Sequence, residues 1–295
     1  MIIALTGSNG SIGKELLPFL RDLGHQVIII SSSVAGDGKN NFSYKDLKKR
    51  EVPFQVDVFI HLASINSEMS EDSVQEEVQL VETVLASLVS LRCKKLIFFS
   101  SSKVYGNNSL EPNFFNEFSA LNPQCNYGKA KKLCEETIIL QSATLNIYYL
   151  ILRLPPVINQ SKKSNIGKLI NFARKKLIIP SLAHGNSNQR SFISMNNIHS
   201  FFYYIFKNSH LLEKKEIYNL SDSEHISLNE LLSISGKSTI FSLPMVVSKL
   251  IFKIPVLKNM LIKIFGNFVI ENKKLTSEMG VKLESTKNSL SKIYK

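Results

Sequence analysis

Within its first 31 residues the chain reads IIALT, then the turn TGSNGSIG, then KELLPFLRDLG and HQVIIIS. Both apolar runs lack polar alternation, so they describe strands buried on two faces, and the stretch between them has the spacing of an amphipathic helix. A strand, helix, strand unit of this length closes by a right-handed crossover between parallel strands, which commits the chain to an α/β fold. VDVFIHLA (56–63), KKLIFFS (94–100) and NIYYLILRL (146–154) repeat the strand pattern, and helical stretches lie at 76–91 and 127–142. The expected architecture is a Rossmann-type doubly wound parallel sheet over residues 1–155, with return segments near 190–221. Beyond LRLPP the pattern breaks into shorter pieces with Asn, Ser and Gly linkers, so 156–295 is read as mainly a smaller C-terminal substrate-binding lobe. EIYNLSD (216–222) reads as a last strand returning to the sheet.

The turn carries the first chemistry. Gly7, Gly10 and Gly13, spaced three and three between a strand and a helix, set backbone N–H groups and the positive end of the helix beside an anion such as a dinucleotide pyrophosphate. The second strand ends in Ser31, Ser32 and Ser33 rather than in the acid that holds a ribose 2′-hydroxyl, and no arginine replaces it, so NAD and NADP both stay open. In NYGKAKKLCEE, Tyr127 and Lys131 stand four apart on one helical face, where an ammonium can stabilise a phenolate and make a general base.

Charge and composition exclude several classes. The net charge of +12 comes from scattered lysines without interleaved stacking aromatics, which argues against a nucleic-acid partner. Residues 243–269 are apolar, but lysines at 249, 253, 258 and 263 rule out an unbroken transmembrane span; core packing with lysines at the rim is favoured over an interfacial helix. Cys93, Cys125 and Cys134 have no metal-ligand spacing, and their odd number without a leader segment leads to the expectation of a cytoplasmic protein.

TGSNGSIG, DVFIHLAS, FFSSSKVYG, YGKAK and RSFISMNNI, taken in this order, resemble the signature series of the extended short-chain dehydrogenases, the NAD-dependent epimerase/dehydratase family. IIPSLAHGNSNQRSFISMNNI and ENKKLTSEMGVKLESTKNSL are similar to its bacterial surface-polysaccharide branch of UDP-glucose 4-epimerase-like proteins and 4-keto reductases that make UDP-N-acetylquinovosamine. The resemblance implies NAD or NADP as cofactor, a nucleotide sugar, UDP-linked, as substrate, and a homodimer formed through the helices at 76–91 and 127–142.

It also implies roles. Tyr127 becomes the acid/base, Lys131 its partner and a ligand of the nicotinamide ribose, and Ser101 the hydroxyl that bonds the reacting sugar oxygen. Ser100 is expected to satisfy backbone at the turn, while Ser102 stays open between a cap and a substrate contact. Around the cofactor the resemblance places Gly7, Asn9, Gly10, Ser11, Ile12 and Gly13 of the turn, with Ser31 after the second strand. Leu62, Ala63 and Ser64 follow the next strand, and Pro155 and Val157 the last, while His61 is read as a buried strand residue. Arg190 is matched to the arginine that grips the substrate diphosphate, with Asn165 nearby.

Three departures matter. Family dehydratases place an acidic pair directly after the catalytic hydroxyl; Ser102 and Lys103 stand there, which disfavours sugar dehydration and leaves oxidation and reduction at C4, as 4-epimerase or 4-keto reductase. Glu77, Leu80 and Val81 replace the asparagine, glycine and threonine of a helix signature, and Val157, Ile158, Asn159 and Gln160 replace a valine, tyrosine, glycine, proline run. The rival from another class is a dinucleotide-binding sensor or scaffold of the same fold without turnover.

Overall fold

The computed structural model describes residues 1–32, 40–49, 55–65, 69–109, 113–158, 178–181, 188–235, 239–242, 262 and 266–293. Seven strands form the central sheet: β1 (Ile2–Thr6), β2 (Gln26–Ser31), β3 (Asn41–Ser43), β4 (Val58–His61), β5 (Lys95–Ser101), β6 (Tyr148–Leu154) and β7 (Lys215–Asn219), in the order β7-β6-β5-β4-β1-β2-β3. The β1–β2, β1–β4, β2–β3 and β4–β5 pairs are parallel, with Leu5 opposite Ile29 on one side and Ile60 on the other. Strand order reverses beside β1, the point at which an open α/β sheet presents a ligand crevice at its carboxyl ends. The returning strand lies where EIYNLSD suggested, at the sheet edge.

Helices α1 (Gly13–Asp22), α2 (Tyr44–Lys49), α3 (Asp72–Ser90) and α4 (Asn126–Thr144) accompany the sheet. Its core joins Ala4, Phe59, Phe98 and Ile151 to Val81, Val84 and Leu88 of α3 and to Cys134 and Ile138 of α4. Buried positions of α3 at Glu77, Val78, Val81, Val84, Leu85 and Leu88 recur at three and four residues, as one face of a helix requires, with Ser87 buried at the edge of that face. One member of that face is acidic, and its partner is taken up below.

The chain divides into two compact units. The first contains Met1–Gly106, Leu121–Arg153 and Phe201–Tyr218; the second contains Asn107–Ala120, Leu154–Ser200 and Asn219–Lys295. Segment 107–120 groups with the second unit because Phe114–Phe115 pairs in parallel with Val269–Ile270, and Ser109 exchanges backbone hydrogen bonds with Asn267. A single residue organises much of this unit. The buried Asp222 carboxylate accepts from the Ser194 N–H at 2.9 Å, the Ser194 hydroxyl at 3.1 Å, Asn197 Nδ2 at 2.6 Å and the Thr286 hydroxyl at 2.9 Å, tying three separate segments together. Most of 243–269 lies outside the described residues, and no described helix is long and apolar enough to cross a membrane.

Candidate active site

The site is built on the carboxyl ends of β1, β4 and β5 and the first turn of α4. Gly7 holds φ at +72°, and a side chain there would put Cβ 2.6 Å from the Ala63 N atom, so the turn after β1 lies directly against the turn after β4. At Gly13 an added Cβ would come within 2.2 Å of the Gly7 carbonyl oxygen, which fixes how α1 leaves the turn. No side chain caps the start of α1, and Gly10 N–H closes the turn onto the Gly7 carbonyl at 2.9 Å. Asn9 and Ser11 are exposed, whereas Ile12 is half-buried. A cavity of about 340 Å³ opens beside this turn. Gly7, Ser8 and Asn9 line it from β1, Ser31 and Ser32 from β2, and Ala63, Ser64 and Ile65 from β4. Leu80 of α3 also reaches it, on the helix face where the family signature has glycine.

Beneath the turn, His61 is 1% exposed, with Nδ1 2.6 Å from the Thr6 hydroxyl oxygen, which also accepts the Ala63 N–H at 3.3 Å. The imidazole stacks on Phe98, and its Nε2 has no partner among the described residues. Burial, helped by the Lys131 charge, lowers the pKa of His61 from 6.5 to about 3. It is therefore a neutral buried strand residue at physiological pH, as the sequence suggested. Because the unfolded chain takes up the proton first, stability falls as pH drops from about 6.5 toward 3. In chemical denaturation followed across that range, His61→Gln is expected to flatten the decline; an unchanged slope would assign the decline to other groups.

The three hydroxyls that end β5 do different work. Ser100 Oγ donates to Glu135 Oε1 of α4, not to turn backbone as expected, because that carboxylate is buried beside Arg153 and a buried carboxylate needs donors for its remaining lone pairs. Ser101 Oγ accepts the Lys103 N–H at 3.2 Å and so caps the short 3-10 turn Ser102–Val104. Ser102 is 2% exposed. The cap is thus supplied by Ser101 and not by Ser102, for which a cap was one of two expectations, and the O–H proton of Ser101 remains available to a second partner.

Helix α4 starts against this turn. Cys125 caps it by accepting the Gly128 N–H through Sγ at 3.4 Å, and a Cβ at Gly128 would lie 2.5 Å from the Lys103 carbonyl oxygen. Only glycine lets the first turn of α4 approach the turn after β5 so closely; Tyr127, the residue before it, is half-buried. One turn on, Lys131 is 1% exposed, with Nζ 5.8 Å from the Tyr127 ring centroid and 4.8 Å from that of Phe98. Its ion-pair partner is Glu77 of α3, with Nζ to Oε1 at 2.9 Å and both side chains buried. The second Glu77 oxygen accepts the Ile65 N–H at 2.9 Å. Burial alone would pull the pKa of Lys131 down, but Tyr127, Glu77 and Cys134, with the hydrogen bond to Glu77, outweigh it and hold the ammonium above its ordinary value.

In the second unit, Pro155 is buried and Val157 half-buried, the latter in a two-residue strand paired with Ile193–Ser194. Arg190 Nε donates to the Gly266 carbonyl at 3.0 Å, and burial lowers its pKa to about 10, so it stays cationic at neutral pH. Asn165 lies outside the described residues. Sequence reasoning registered Glu77 only as a departure in helix packing. The signal for its partner was there, since an acid in the buried phase of α3 and a lysine in the buried phase of α4 each need a counter-charge.

Residues 3–221 match the NAD dependent epimerase/dehydratase family. A UDP-glucose 4-epimerase of Vibrio cholerae is 24% identical over 305 residues, covering 98% of this chain and 89% of its own. Among solved structures, UDP-N-acetylglucosamine 4-epimerase from Bacillus cereus superposes with a TM-score of 0.74 at 16% identity, covering 100% of this chain and 98% of its own. UDP-glucuronic acid 4-epimerase from Bacillus cereus, solved with NAD, gives 0.70 at 17% identity, covering 99% and 94%.

Proposed function

Because the chain belongs to the NAD-dependent epimerase/dehydratase family, we propose that it is a nucleotide-sugar oxidoreductase acting at C4 of a UDP-hexose or UDP-N-acetylhexosamine in surface-polysaccharide synthesis, as 4-epimerase or 4-keto reductase. The observation that carries this reading is the first part of α4, where the half-buried Tyr127 and the buried Lys131 stand one helical turn apart, with the ammonium 5.8 Å from the tyrosine ring centroid. In it, Tyr127 takes the proton from the C4 hydroxyl and returns one when the carbonyl is reduced, while Ser101, its acceptor side occupied by Lys103 N–H, donates to the same oxygen. The absence of a carboxylate at Ser102 and Lys103 argues against elimination of water.

The residues present fit a dinucleotide. Gly7 and Gly13 let the turn fold tightly between β1 and α1 where a Cβ would meet backbone, the α1 N-terminus has no side-chain cap to compete with a phosphate, and Ser31, Ala63 and Ser64 line the adjoining cavity. When bound, NAD or NADP supplies the hydride acceptor and donor. Arg190 would meet the substrate diphosphate. Homodimerisation belongs to the same reading, supported by Leu133 and Leu140, which are 39% and 78% exposed on α4.

A second reading, a dinucleotide-binding protein without turnover, rests on the Glu77 carboxylate that occupies Lys131. The experiment is to denature the purified chain, identify the released dinucleotide, and offer the intact protein UDP-hexoses and their N-acetyl forms. An epimer formed without net consumption of NAD(P)H supports the epimerase, and stoichiometric NADPH oxidation by a 4-keto sugar supports the reductase. Dinucleotide without turnover favours the second reading. Light scattering of the same preparation at a monomer's mass would remove the dimer.

A further inference from the structure

We infer that Glu77 is a positioning residue that shares the charge of Lys131 and thereby sets the pH at which Tyr127 can act as a base. The inference rests on the proposed role of Tyr127 and Lys131 and extends it to a third side chain. Glu77 is 0% exposed and engages both oxygens, one on Lys131 Nζ and one on Ile65 N–H. It therefore links α3, α4 and the loop after β4 that lines the cavity.

An ammonium in this position helps a phenolate only to the extent that its charge is not already spent. Here a carboxylate sits 2.9 Å away in a buried setting, where charge interactions are stronger than in water, so the pair presents little net charge to Tyr127. The other groups facing Lys131 do not change that balance: Tyr127 and Cys134 lie on its own helix, neutral His61 lies on β4, and β5 contributes the Phe98 ring. Tyr44 of α2 lies within electrostatic reach of Glu77 and is kept protonated by burial. Glu77 is thus the one carboxylate among the described residues that holds the Lys131 ammonium.

The test uses the full chain and reads the tyrosinate absorbance that Tyr127→Phe removes, so it needs no substrate. Glu77→Gln keeps shape and one hydrogen-bond acceptor but deletes the negative charge; the midpoint of that signal is expected about one pH unit lower than in the unsubstituted chain. Glu77→Asp, which retains the charge, should restore the original midpoint. Should the glutamine variant fail to fold, Glu77→Gln with Lys131→Met removes the pair as a unit, and its midpoint should stay within about half a unit of the original. An unmoved or raised midpoint in Glu77→Gln overturns the inference, as does a rise of a full unit in the double variant. Failure of the parent reading looks different, because Tyr127→Phe would then turn over UDP-sugars at the original rate whatever the titration shows.

Discussion

Tyr127→Phe is expected to lower turnover of the accepted UDP-sugar by roughly a hundred- to ten-thousand-fold, the usual worth of a positioned acid/base group. The substitution deletes one oxygen and keeps the ring that packs over Lys131, so helical content and dinucleotide release should match the unsubstituted protein. That combination separates a lost proton carrier from a damaged fold. Because a reduction and an epimerisation at C4 both move the hydroxyl proton, the loss should appear whichever of the two is catalysed. Full turnover in the phenylalanine variant, with dinucleotide still bound, would sink the assignment of Tyr127 as the proton carrier.

The largest stability effect is expected from Glu135→Gln. Arg153 and Glu135 are about as buried as ions become, with side chains 3% and 2% exposed. Arg153 Nε donates to both carboxylate oxygens, at 3.0 and 3.2 Å, Nη2 donates to Oε2 at 2.6 Å, and Nη1 donates to the Tyr105 hydroxyl at 3.0 Å. Although burial opposes the charge, Glu135 and Tyr105 raise the pKa of the guanidinium further, so it cannot escape by losing its proton. Taking away the carboxylate charge leaves a desolvated cation, at a cost of about 3–5 kcal/mol. Urea unfolding would read this as a lower midpoint, and Glu135→Leu with Arg153→Met should recover much of it, because the pair leaves together. A glutamine variant as stable as the original would mean that water reaches the guanidinium.

The parallel strands and the glycine turn were legible in the sequence because each rests on a local rule: unbroken apolar runs for buried parallel strands, and residues without Cβ where backbones touch. The Tyr127–Lys131 spacing was legible for the same reason, since one helical turn separates them. That Glu77 and Lys131 each need a counter-charge was legible from their helix phases, but which side chain supplies it was not, nor was the pairing of Glu135 with Arg153, because the partner arrives from another element 18 to 54 residues away. The serine row shows the limit within one motif. Its position at the end of β5 followed from the apolar run, but the division of labour between Ser100 and Ser101 required knowing that α4 brings a carboxylate to one and that the 3-10 turn presents an N–H to the other. The pairing of Phe114–Phe115 was hidden for a related reason, as its partner strand lies more than 150 residues downstream.

The backbone passes between the two units at 106/107, 120/121, 153/154, 200/201 and 218/219. Neither unit is therefore a cassette that recombination could lift out by a single exchange. A graft that ended after β6 would deprive the sheet of its edge strand β7 and leave a bare row of amides along β6, a surface suited to sticking to another copy. A new specificity in such a chain is expected to arise by point changes and loop replacement within one interwoven polypeptide.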